Sequence, residues 1–147
     1  MKLITYISFP GNAREAMNFY QSCLGGELTF MEVGGSPIEE HLTNMKKDDI
    51  LHGQLVLSDL TLMGSDMVGP QGYVKGNNVT IMLLCDNEEQ VNKHYASLSE
   101  GGSAVMPPSP AFWGGVFGHL VDKYGIEWGV HWSEEYSGGG ADCGVKV

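Results

Sequence analysis

The feature that most constrains this chain is an order of elements that occurs twice. Residues 2–9, KLITYISF, are rich in β-formers and stop at the turn signal Pro10-Gly11. Asn12 stands where a helix cap belongs, and Glu15 follows three residues later, the spacing of a capping box. Ala13, Ala16, Met17, Tyr20 and Leu24 then recur at helical spacing until Gly25-Gly26 ends the run. Residues 27–33 read as a second strand, and 34–49 as a polar loop with a short helical turn. Residues 50–57 and 60–64 read as a hairpin turning at Ser58-Asp59. After the Gly-rich stretch 65–77 the order begins again. A strand at 78–85 leads to a helix capped by Asp86 or Asn87 and running to Ser99. A short strand at 103–106, the Pro-rich PPSPAFWGG and a hairpin of 115–122 and 126–132 complete the second copy.

The pattern is β-α-β-β-β twice. Laid over one another, the copies match Thr5 to Thr80, Asn12 to Asn87 and Tyr20 to Tyr95, and in the hairpins Gly53 to Gly118 and Gly64 to Gly129. Neither half can cover its own four-stranded sheet, so the halves are expected to pair. The expected fold is α+β: tandem β-α-β-β-β modules forming a curled, cup-shaped mixed sheet with helices outside. The expected boundaries are 1–66 for the first module, 67–77 for a linker, 78–133 for the second module, and 134–147 for a flexible Gly-rich tail.

Composition removes several function classes. Charged residues make 18% and hydrophobic residues 42% of the 147, the opposite of a disordered balance. Net charge is −10, Arg14 is the only arginine, and Lys46-Lys47 is the only basic pair. A nucleic-acid or anionic membrane surface needs clustered Lys and Arg, so neither is an expected partner. No apolar run approaches the ~20 residues of a spanning helix. The three cysteines, Cys23, Cys85 and Cys143, form no CxxC pair, which argues against a disulfide framework or structural zinc. The opening MKLITYISFPGN lacks a small-residue cleavage site and reads as a strand, so the expected location is the cytoplasm.

Three segments carry a family resemblance: FPGNAREAMNFYQSCLGGEL at 9–28, DLTLMGSD at 59–66 and FWGGVFGHLVDKYGIEW at 112–128. With the tandem repeat, they resemble the vicinal oxygen chelate superfamily of glyoxalase I, bleomycin resistance proteins and extradiol dioxygenases. Within it they resemble the PhnB-like branch, often labelled demethylubiquinone methyltransferase-like. The sequence offers no Gly-rich strand-to-helix turn for a methyl-donor cofactor, since GGSAVMPP and the SGGG tail do not precede helices. The resemblance implies a homodimer. It also implies, in metal-using members, one His, Glu or Gln ligand from the first and one from the fourth strand of each module. Carried over, those places fall at Thr5, Thr80, Leu62 or Met63, and Glu127. Only Glu127 is a plausible ligand, and catalytic sites generally offer three, so no metal and no other cofactor is expected.

Alternation puts Glu127, Gly129 and His131 on one face of their strand, and Ile126, Trp128, Val130 and Trp132 on the other. A helix should cover the apolar set, leaving the first to line the cup. Two readings of the histidines compete. Either His52, His119 and His131 converge with Glu127, or each is a separate hydrogen-bonded or surface residue; His94 reads as structural and His41 as solvated. Glu127 is either a general base of raised pKa or a glutamate on an exposed strand face. Phe112, Trp113 and Phe117, with Tyr73, suit a flat or apolar ligand, the alternative being Trp113 as core. Met31, Met63, Met82 and Met106 supply an adaptable wall or ordinary core. Cys85 precedes a helix N-terminus but continues the apolar run IMLLC, which points to burial rather than reactivity.

The function read from these residues is small-molecule binding of the glyoxalase/bleomycin-resistance type with a degenerate metal site. Thr5, Thr80, Glu127 and the Phe112-Trp113 loop would contact the ligand. The alternatives are a divalent-metal-dependent lyase, isomerase or dioxygenase using Glu127 with His52, His119 and His131, and a dimeric scaffold whose cup is filled by its own side chains.

Overall fold

The computed structural model describes residues 1–135. Within them the chain divides into two compact units, the first comprising Met1–Gly76 and the second beginning at Asn77. Each has one helix and four strands in an open mixed sheet, an α+β architecture. The expected tail beyond 135, including Cys143, lies outside the described residues.

In the first unit, β1 (Thr5–Ser8), α1 (Ala13–Leu24), β2 (Glu27–Glu32), β3 (Ile50–Leu57) and β4 (Leu60–Ser65) follow in sequence, with a 3-10 turn at Glu39–His41. The sheet order is β1-β4-β3-β2, with β1 parallel to β4 and the other pairings antiparallel. The apolar stripe of α1 (Ala13, Ala16, Met17, Tyr20, Leu24) packs on one face of the sheet, where Leu55 and Leu62 are buried. Arg14 leaves that stripe to pair with Glu32 at 2.5 Å and to lie over the Phe30 ring, tying α1 to β2.

The second unit repeats this with β5 (Thr80–Leu84), α2 (Glu88–Leu98), β6 (Ser103–Pro110), β7 (Val116–Val121) and β8 (Glu127–Trp132), in the order β5-β8-β7-β6. Trp128, Val130 and Leu120 are buried, and Val91, Tyr95 and Leu98 are the buried face of α2.

Three details differ from the sequence expectation. Asn12 occupies the cap position of α1, but its side chain makes no capping bond. Asp66, just past β4, does that work: its Oδ1 accepts the Ala13 N–H and its Oδ2 the Ile50 N–H, each at 2.8 Å. One carboxylate thereby joins the start of the helix to the start of β3. In α2 the cap is local, with Asn87 accepting from the Gln90 N–H and Gln90 accepting from the Asp86 N–H. Second, β6 does not end at residue 106 but runs through the prolines to Pro110. It is an edge strand broken by two register shifts, where missing N–H donors are tolerated. Third, the two copies are displaced by one residue from the match Thr5 to Thr80. The strand-to-strand bonds Phe9 N to Ser65 O and Cys85 N to His131 O are equivalent, which sets Thr5 against Ile81. Because faces alternate, this one-residue step decides where each threonine lies.

Candidate functional site

The face of the second sheet opposite α2 carries most of the residues singled out above. Strand pairing sets its rows. Thr80 lies beside Glu127 and Val121; Met82 beside Gly129, His119 and Met106; Leu84 beside His131, Phe117 and Ser109. Thr80 is exposed there. Thr5 is not its counterpart: it pairs with Leu62, which pairs with buried Leu55, and so lies on the face that α1 covers.

His119 and Glu127 belong to adjacent rows and meet on the diagonal between them. Nε2 of His119 stands 2.9 Å from Oε2 of Glu127, with each side chain 25% exposed. A carboxylate only accepts, so the ring donates through Nε2–H. Glu127 therefore has a fixed partner. His131 is buried, and its Nδ1 donates to the Val116 carbonyl at 2.9 Å, which fixes its tautomer and ring plane. Its ring lies 6.2 Å from both the Trp113 and Phe117 rings. Trp113 is 5.5 Å from Phe117 and stacks edge-on with Phe112 at 4.7 Å.

Phe112 and Trp113 sit at the tip of the β6–β7 hairpin, closed by Ala111 N–H to Gly115 O and Gly114 N–H to Ala111 O. They are 98% and 53% exposed, so Trp113 is not core. Gly115 has φ +70°, and a Cβ there would collide with the Trp132 carbonyl, which explains the glycine after Trp113-Gly114. The rest of the closing motif is also a folding device. Asp122 is buried and accepts from the N–H groups of Tyr124 and Ile126 through Oδ1, and from the Trp128 indole through Oδ2 at 2.8 Å. The sequence marked Asp122 and Trp128 as motif residues, but their mutual bond was not foreseen.

His52 belongs to the first unit. Its Nδ1 lies 3.4 Å from the Tyr6 hydroxyl, and Met31 is its cross-strand neighbour on the face opposite α1. His41 is exposed at the end of the 3-10 turn, His94 lies in α2, and Tyr73 lies in the irregular stretch between β4 and β5. Cys23 and Cys85 are buried; burial, followed by the neighbouring Asp86 charge, pushes the Cys85 thiol up to about 11, the reverse of an activated nucleophile.

Of the carried-over metal places, two lie on a covered face of the first unit. Leu62 is buried under α1, and Thr5 lies on that same covered face. Among the described residues no three His, Cys, Asp or Glu side chains come together to hold an ion. Nor, among them, is there a glycine-rich strand-to-helix turn. β1 reaches α1 through Pro10-Gly11-Asn12, β5 reaches α2 through Cys85-Asp86-Asn87, and Gly101-Gly102 leads into β6.

Residues 1–131 match the model of the 3-demethylubiquinone-9 3-methyltransferase family. The chain belongs to this family. A relative of this 3-demethylubiquinone-9 3-methyltransferase family member is YjdN of Escherichia coli K12, 29% identical over 140 residues, or 89% of this chain and 95% of that one. Among solved structures it is similar to PA1353 from Pseudomonas aeruginosa, at 34% identity and TM-score 0.76, with 90% of this chain and 98% of that chain covered. A Bacillus cereus protein described as a putative 3-demethylubiquinone-9 3-methyltransferase, PhnB, shares the fold at 23% identity and TM-score 0.69, covering 90% of this chain and all of that one. Solved members of the glyoxalase/bleomycin resistance group share the same fold at 18% and 15% identity. The 3-demethylubiquinone-9 3-methyltransferase family name thus fixes the ancestry and the fold. The residues described above contain no recognisable cradle for a methyl donor of the dinucleotide-binding kind.

Proposed function

We propose that the chain is a small-molecule-binding protein whose ligand lies on the open face of the second unit. The ligand is flat and largely apolar. It stacks on Phe112 and Trp113, reaches Phe117, and orients a polar group toward the His119–Glu127 pair, with Thr80 at the end of the Glu127 row. The observation that carries this reading is the exposure of Phe112 and Trp113 on the hairpin that borders the face where His119 and Glu127 meet. This aromatic pair at a hairpin tip leaves much of its surface uncovered, and exposed apolar clusters mark interaction sites. The protein acts in the cytoplasm as a homodimer, and His131 sets the floor of the site by holding the Trp113 and Phe117 rings.

The test is thermal unfolding with naphthalene and 2-naphthol as probes. A ligand present at a hundred times its dissociation constant stabilises by about 2.7 kcal/mol, a readily measured rise in Tm. Trp113→Ala should remove that rise while leaving the unliganded Tm within a few degrees. The reading fails if neither probe nor a wider set of aromatic ligands raises Tm, or if Trp113→Ala retains the full effect. Light scattering at low and high concentration tests the dimer separately.

A further inference from the structure

We propose that the same face carries a site for a soft monovalent metal ion of the Cu(I) class, held by the thioethers of Met82 and Met106 and by Nδ1 of His119. It does not depend on the ligand reading above.

One row of the sheet crosses all four strands as Met82, Gly129, His119 and Met106. The two methionines flank the histidine, one on each side. Both are half-exposed, at 48% and 49%, although methionine is an apolar side chain that folding would normally cover. Gly129 makes the arrangement work. A Cβ at position 129 would fall on the Met82 sulfur, so that sulfur occupies the space a side chain would take, directly across from His119. Cβ atoms of cross-strand neighbours lie about 5 Å apart, which sets the scale of separation of the Met82 sulfur from the base of the His119 side chain. Met106 stands opposite His119 on its other side, at the same scale.

The histidine is prepared for this role. Its Nε2–H is committed to Glu127 at 2.9 Å, so in the neutral ring Nδ1 is the nitrogen with a lone pair. A ligating histidine that donates its other N–H to a carboxylate is the usual arrangement around bound metals. Two thioethers and one imidazole form a soft donor set. It suits Cu(I) or its redox-inert analogue Ag(I), and it is unsuited to Mg, Ca or Mn. In the first unit His52 has Met31 as its cross-strand neighbour, Met63 lies in the next row, opposite Gln54, and the His52 Nδ1 faces the Tyr6 hydroxyl. That unit therefore serves as an internal reference.

The experiment uses the full chain with ¹³C-methyl-labelled methionine, titrated with Ag(I) and followed by NMR, with Met82→Leu and Met106→Leu supplying the assignments. Silver also fills thiols, so the titration continues past three equivalents, the number of cysteines. The expected result is that the Met82 and Met106 methyl signals shift together and saturate, while Met31 and Met63 stay in place. His119→Asn should abolish the paired shift. Glu127→Gln should weaken it about 10- to 100-fold, the usual cost of losing such a supporting carboxylate. The proposal is overturned if both methyl signals are unmoved once the thiols are saturated, or if they shift with undiminished affinity in His119→Asn. Zn(II) binding that moves His119 but neither methionine would also overturn it. Failure here would leave aromatic binding at Trp113 untouched, since that is measured without metal.

Discussion

Replacing Asp122 by alanine removes three hydrogen bonds at once, and their worth follows from where the donors sit. The carboxylate accepts from the Tyr124 N–H at 2.8 Å, the Ile126 N–H at 3.0 Å and the Trp128 indole at 2.8 Å. Trp128 is 1% exposed, so its indole N–H has no water to turn to. A bond to a charged acceptor contributes about 1.5–3 kcal/mol, and a buried donor left bare costs about 1–3 kcal/mol. The two backbone donors are only part-buried and recover some of their loss through solvent. The sum is about 3–5 kcal/mol for Asp122→Ala, a fifth or more of the ~5–15 kcal/mol that holds a domain folded. Trp128→Phe removes the indole donor but leaves the carboxylate its two backbone partners. The double variant isolates the indole–carboxylate bond, and its coupling energy should be about 1.5–3 kcal/mol. Urea unfolding followed by far-UV circular dichroism measures all four corners, with the m-value checked for constancy. A coupling below about 0.5 kcal/mol, or a loss below about 1 kcal/mol for Asp122→Ala, would refute the claim that this aspartate anchors the last strand.

Three other outcomes are expected. Asp66→Ala should cost about 2–4 kcal/mol, because it strips the α1 terminus and the β3 start of one shared acceptor, whereas Asn12→Ala, which makes no capping bond, should cost far less. Gly129→Ala should displace Met82 and destabilise by about 1–3 kcal/mol, the range for overpacking, visible in the same urea assay. Alkylation of Cys85, followed by peptide mass spectrometry, should be slow at pH 8 and rise with each pH unit toward about 11, where its thiol ionises. Since the folded thiol holds its proton above the ordinary 9.0, its contribution to stability is intact below pH 9 and declines as pH rises through about 11.

Much of the fold was legible because local signals agreed with each other. Pro10-Gly11, Gly25-Gly26 and Ser58-Asp59 stand at real element ends, and the helical spacing of Ala13 to Leu24 matches the buried stripe of α1. Alternation along β8 also placed Trp128 and Val130 against the helix and Glu127 and His131 together on the far side. The failures arose where local reading did not suffice. Asn12 looked like a cap because caps are sought locally, while the acceptor comes from Asp66, more than fifty residues on. The Ser65-Asp66 pair at a strand end was the only hint. Matching Thr5 to Thr80 followed residue identity, and identity is blind to the parity that sets faces. A check against the buried Ile7 and Leu62 would have exposed the step. The prolines of β6 hid a strand because proline is read as a breaker, a rule that lapses at an edge. At the candidate site, Glu127 and the Phe112-Trp113 pair were visible as isolated oddities. That His119 grips Glu127 depends on the register of β7 against β8, which no single strand displays.

The same edge strand has a bearing on how the protein behaves in a concentrated solution. Three of the eight residues of β6 are proline, at 107, 108 and 110; none has an N–H, and because adjacent N–H groups point to opposite sides, Pro107 and Pro108 between them remove one from the outer edge. The rim of the second sheet is thus a poor seed for fibril growth, and its register shifts spoil the straight ladder that stacking requires. Straightening that rim, for instance by replacing all three prolines with threonine or valine, would make a concentrated stock more prone to gelling on storage.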